Sequence, residues 1–153
     1  MNKIFKFAYI FGLLLKLDLD FKKKGFTRVF ETYVKKYQAI EILEYKPEQA
    51  EKVNKEIKEL LVLIETVCSF FPKKAKCLHR AFLSYRLLRS QYKIPLKLVI
   101  GVCHFPFGAH AWIMQGNYNI GEEEVDTNRF RIILDSSTYK KGDIKREVVY
   151  GSN

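Results

Sequence analysis

In the first two thirds of the chain the hydrophobic positions recur at helical spacing, and in the last third they crowd into short runs of a different period. Residues 2–17 are apolar nearly all round the axis. This predicts a helix either buried in the core or lying with its lysines at a membrane or partner surface, and burial is the simpler reading. After the break at Lys22-Lys23-Lys24-Gly25, Thr27 is placed to cap a second helix. Its Phe30, Tyr33, Val34, Tyr37 and Ile40 follow the i, i+3, i+4, i+7 spacing of one face, and the opposite face is charged. Pro47 suits the first turn of a third helix, whose stripe of Val53, Ile57, Leu60, Ile64, Val67 and Phe71 stays aligned until Pro72 ends it. A fourth helix runs from Cys77 to about Tyr92 with Leu78, Ala81, Phe82, Tyr85, Leu88 and Tyr92 on its buried side, and Ile94-Pro95 closes it.

Beyond Pro95 the runs are short and rich in branched residues. Residues 96–103, 109–114, 118–120 and 129–134 read as strands, and Gln115-Gly116-Asn117 reads as a hairpin turn. Helices first and a small antiparallel sheet after make an α+β fold, and no internal repeat competes with that reading. A length of 153 residues leaves room for one domain. Its expected parts are a helical region over 1–71, a helix and sheet over 72–137, and a loose basic tail over 138–153.

Composition narrows the functional classes only a little. The chain is 48% hydrophobic with 8 Gly and 4 Pro, which excludes intrinsic disorder. A net charge of +10 predicts attraction to something anionic: nucleic acid, an acidic peptide, a partner protein or a membrane surface. The three cysteines form neither an even framework nor a Cys-x-x-Cys pair, so the reading is a reducing, cytoplasmic compartment. Lys3 and Lys6 precede the uncharged run 7–15, but that run is well short of the roughly 20 residues that span a bilayer. Lys16, Asp18 and Asp20 stand where a cleavage site belongs, so the run does not read as a secretory signal.

Cys77 is the residue that promises chemistry. It opens a helix, where free N–H groups and the helix dipole favour a thiolate, and Lys73, Lys74, Lys76 and Arg80 stand near it in sequence. Cys68 and Cys103 have the ordinary role of lone cysteines, small buried hydrophobes. His110, in Ala109-His110-Ala111-Trp112, sits on a rigid strand where an imidazole beside a thiolate acts as general base and acid. His79 points away from Cys77 on the same helix and His104 lies in the His104-Phe105-Pro106-Phe107 loop, so neither is a good base. An orienting acid completes the set: a hairpin about Gly116 sets residue 110 opposite Glu122, and a looser turn centred on Tyr118 sets it opposite Asp126. No pair of His, Cys or Asp has zinc-ligand spacing, and neither metal nor cofactor is expected.

Four blocks, Cys77-Leu78-His79-Arg80-Ala81, Lys97-Leu98-Val99-Ile100-Gly101-Val102, Pro106-Phe107-Gly108-Ala109-His110-Ala111-Trp112 and Ile120-Gly121-Glu122, resemble in order and spacing the transglutaminase-like leader peptidases of lasso-peptide biosynthesis. Arg129-Phe130 before an apolar strand also fits. The resemblance implies a papain-type cysteine protease fold that removes the leader from a ribosomal precursor peptide, whose core a separate lasso cyclase then closes. By position it makes Cys77 the nucleophile, His110 the base and later acid, and Glu122 the orienting acid, where the family more often has Asp; Asp126 is the reserve. It also implies a stand-alone peptidase working with a separate leader-recognition protein. The basic surface and the lysine-flanked first helix would serve docking to that protein or to the leader, or weak membrane attachment. Two other readings are kept, a transglutaminase-like acyltransferase and a non-catalytic basic module binding nucleic acid. The second has no recognition motif behind it, and nucleic acid is not expected as a partner.

Overall fold

A computed structural model of the chain describes residues 2–72, 77–122 and 127–141. Among these, four helices come first, α1 (Lys3–Lys24), α2 (Phe26–Gln38), α3 (Pro47–Ser69) and α4 (Cys77–Tyr92). Four strands follow, β1 (Lys97–His104), β2 (Phe107–Gln115), β3 (Tyr118–Ile120) and β4 (Arg131–Asp135). The strands form one antiparallel sheet in the order β3-β2-β1-β4, and the fold is α+β with helices preceding sheet.

Three expectations about the helical half need correction. The first helix continues past Leu17 to Lys24, because Asp18 pairs with Lys22 and Asp20 with Lys24 one turn on, and Phe21 packs edge-on against Phe82. Nor is α1 enclosed. Ile10, Leu13, Leu14 and Leu17 are buried, whereas Ile4, Phe5, Tyr9, Leu15 and Leu19 on the other side face solvent. No described helix is long and apolar enough to cross a membrane. Thr27 is not a cap either. Gly25, at a φ of 77° open to glycine, both closes α1 by donating to the Phe21 carbonyl at 3.0 Å and stands immediately before Phe26 of α2. Thr27 therefore falls inside the helix. The tail is only partly outside the described residues: Tyr139 packs edge-on against Phe30 at 5.1 Å and donates to Glu31 Oε1 at 2.8 Å, while 142–153 lie beyond them.

The element around which the rest is built is α4. Ala81, Phe82, Leu83, Tyr85, Leu87 and Leu88 are all buried, which a helix with one apolar face does not show. Phe82 alone meets Phe21 of α1 and Phe26, Phe30 and Tyr33 of α2 at ring distances of 5.0 to 6.4 Å. On its other side α4 packs on the sheet face made by Leu98 and Ile100 of β1, Ala111 and Ile113 of β2 and Leu134 of β4. Strand alternation turns Gly101, His110 and Trp112 to the opposite face.

Arg89, near the end of α4, is buried and is bound by four carbonyls. It donates to Tyr37 at 3.0 Å, Ile94 at 2.8 Å, Gln38 at 3.3 Å and Ile40 at 2.5 Å. Three of these belong to the end of α2 and the residues after it, where carbonyls have no partner within the helix. Replacing Arg89 with Met takes the guanidinium donors from the buried carbonyls of Tyr37 and Ile94 and from the half-buried ones of Gln38 and Ile40, and denaturant unfolding is expected to show a loss of about 3 kcal/mol. Lysine, with one donor head in place of a fork, is expected to recover only part of it.

Candidate active site

Three elements meet at the start of α4. Because β3 pairs only with Ile113, Met114 and Gln115, β2 has no strand neighbour at His110 and Ala111 on that side among the described residues. The Cys77 sulfur takes that place. It accepts from the backbone N–H groups of Ala111 and Leu78 and hydrogen-bonds the His110 ring. The other side of the imidazole, Nε2, meets Glu122 Oε2 at 2.5 Å, so Nδ1 is the ring nitrogen left for the sulfur. Thiol, imidazole and carboxylate thus stand in series, the order that nucleophilic acyl transfer requires.

The electrostatics follow from what each group touches. Burial pushes the Cys77 thiol up, but the hydrogen bond from His110, the Ala111 and Leu78 amides and the charge of His110 outweigh it and hold the thiol below its ordinary value. His110 is pushed up to about 9, first by its hydrogen bond to Cys77 and then by that to Glu122, against the opposing effect of burial. Burial also raises the Glu122 carboxyl, and His110 and Arg80 together bring it below its usual range. All three directions favour a thiolate beside an imidazolium over the neutral pair.

Several expectations resolve differently in detail. Lys73, Lys74, Lys76 and Asp126 lie outside the described residues. Arg80 is not directed at the thiol: Nη2 donates to Glu122 Oε1 at 2.6 Å and Nη1 to Glu65 Oε2 on α3 at 2.9 Å. The hairpin register is one residue away from the expected one. Gln115 pairs with Tyr118 across a turn at Gly116-Asn117, and the ladder ends at Ile113 and Ile120. Glu122 reaches His110 because Gly121, at a φ of 76°, bends the chain past that end. His79 is buried between Phe21 and Phe71 with Asp18 3.3 Å from its Nε2, and His104 is exposed. Cys68 is buried and its thiol is pushed up to about 11, as a small core hydrophobe would be.

The packing around the imidazole was not anticipated from sequence. His110 stacks on Trp112 at 5.7 Å and on Phe130 at 5.3 Å. Both rings lie over Gly101, where a Cβ would come within 2.8 Å of the Trp112 ring and 2.9 Å of Phe130 Cβ. A glycine inside an apolar strand was the visible sign of such a close approach.

The arrangement holds the three groups that thiol-based acyl transfer uses. The family model of the transglutaminase-like superfamily matches residues 25–135, so the chain belongs to that superfamily, and α1 lies ahead of the matched region. No curated protein and no solved structure matches the chain.

Four outcomes are expected. Alkylation of Cys77 by iodoacetamide, followed by peptide mass, rises with pH below the range of a free thiol, about 8.5, because a thiolate is present above its lowered pKa. His110→Gln moves that rise to higher pH, since burial is then opposed only by the Ala111 and Leu78 amides. Any turnover that needs the imidazolium as acid falls again as pH passes about 9, whereas alkylation does not. Gly101→Ala displaces Trp112 and Phe130, and is expected to cost roughly 1 to 3 kcal/mol in denaturant unfolding and to slow Cys77 alkylation.

Proposed function

We propose that this chain is a papain-type cysteine peptidase that removes the leader from a ribosomally made lasso precursor peptide. The observation that carries the peptidase reading is the series Cys77, His110, Glu122, hydrogen-bonded at the start of a buried helix. The substrate class is supported by the ordered sequence blocks around these residues, which resemble the leader peptidases of that pathway.

In this reading the Cys77 thiolate attacks the carbonyl at the leader–core junction, and backbone N–H groups at the start of α4 hold the oxyanion. The C–N bond breaks as His110 gives its proton to the leaving amine, which becomes the new amino terminus of the core. Water, deprotonated by His110, then attacks the thioester; the C–S bond breaks and the leader leaves as a carboxylate. Glu122 keeps the imidazole in the tautomer and orientation that both steps use. A separate recognition protein presents the leader, and a lasso cyclase consumes the core. Docking of that protein, or weak membrane attachment, is assigned to the basic surface and to the exposed Ile4, Phe5, Leu15 and Leu19 of α1.

Membership of the transglutaminase-like superfamily favours one alternative, transfer of the same acyl group to an amine in place of water. The nucleic-acid reading is weakened by Phe30, Tyr33 and Tyr37, which are buried and so offer no rings to bases.

The test is mass spectrometry of a lasso-type precursor incubated with its recognition protein and this chain. One cleavage with one water added in total is expected; an amine-linked product would favour acyl transfer, and an intact precursor would contradict both. Cys77→Ala and His110→Ala are expected to lose on the order of 10⁴-fold or more in rate, and Glu122→Gln about a hundredfold less than that. Asp126→Asn is expected to retain activity; if it fails while Glu122→Gln works, the reserve acid takes the role.

A further inference from the structure

Glu122 is not held by the sheet. It lies past the last β3 rung, after the bend at Gly121, and its side chain has one more rotatable bond than an aspartate has. Only 12% of its side chain is exposed, so each carboxylate oxygen needs a donor. His110 serves Oε2, and Arg80 Nη2 serves Oε1 at 2.6 Å. The second arm of the guanidinium is tied to Glu65 on α3 at 2.9 Å, so the fork is held at both ends. Arg80 stands three residues after Cys77, so one helix carries both the thiol and the group that engages the acid.

We propose that Arg80 is a positioning residue of this site: spread between Glu65 and Glu122, it fixes the carboxylate in the rotation that presents Oε2 to His110. It acts on the imidazole through Glu122 and touches no reacting atom. The planar fork is what the task demands. A lysine head supplies the same charge from a single flexible point and cannot bridge two carboxylates in a set plane. The inference rests on reading His110 and Glu122 as base and orienting acid.

Its test needs no substrate. The titration of His110 is followed by NMR in histidine-labelled protein, the signal being assigned with His110→Gln. The native chain, Arg80→Gln and Arg80→Lys are compared, and the two Arg80 variants are repeated in a Glu122→Gln background. From about 9 in the native chain, Arg80→Gln is expected to move the midpoint down by about one unit, a tenfold change in proton affinity. Arg80→Lys is expected to move it in the same direction, and neither variant to move it further once Glu122 is Gln. The sign is decisive, because losing a mere positive neighbour would raise the imidazole's affinity for a proton. An unchanged or raised midpoint overturns the proposal, as does an equal downward shift in the Glu122→Gln background. If Arg80→Gln does not fold, Arg80→Lys is judged by the same outcomes. A precursor left uncut by the native chain would count against the peptidase reading and leave this titration intact, so the two failures are told apart.

Discussion

A helix enclosed on nearly every side is the constraint from which the rest of this structure follows. Burying α4 gathers α1, α2 and α3 on one flank and the sheet on the other, with Phe82 at the centre of an aromatic cluster. Such a helix has little solvent for its polar groups, so those at its two ends must be satisfied by protein. At one end Arg89 serves four carbonyls. At the other Cys77 and Arg80 are matched to His110, Glu122 and Glu65. The same packing that stabilises the fold therefore fixes the thiol against the sheet edge within the reach of a hydrogen bond.

Desolvation opposes all three members of the site, and the sign of each shift shows what overcomes it. For Cys77 and Glu122 burial favours the neutral form, yet both are held toward the charged form by partners. For His110 burial disfavours the cation, and two anionic neighbours reverse that. The charges alternate along the series Arg80, Glu122, His110, Cys77, so each is buried beside its opposite. Removing any interior member leaves two neighbours of the same sign to face a gap, which is why such a unit does not behave as a sum of parts.

Much of the fold was legible because periodicity reports burial. The stripes Phe30 to Tyr37 and Ile57 to Val67 place the buried faces of α2 and α3, although α3 ends at Ser69, short of Pro72, and the runs after Pro95 place four strands. Cys77 and His110 were legible as a helix-start thiol and a strand imidazole. What escaped were features set by tertiary partners. Residues 2–17 look apolar all round, yet nothing among the described residues covers Ile4 and Phe5. The register differed by one residue because the turn type at Gly116-Asn117, which composition does not specify, sets the pairing. Arg80 read as a cation near the thiol, and only the placement of Glu65 and Glu122 turns it to the acid. Nothing in the periodicity singles out Arg89, although it sits in the core.

The central claim is that His110 holds the Cys77 thiol below its ordinary pKa, and thiolate absorbance in the far ultraviolet tests it most directly. A pH titration of the native chain against Cys77→Ser is predicted to show a thiolate that forms below the range of a free thiol and is absent from the variant. If the difference between the two appears only near the range of a free thiol, about 8.5, or above it, the thiolate–imidazolium account is contradicted.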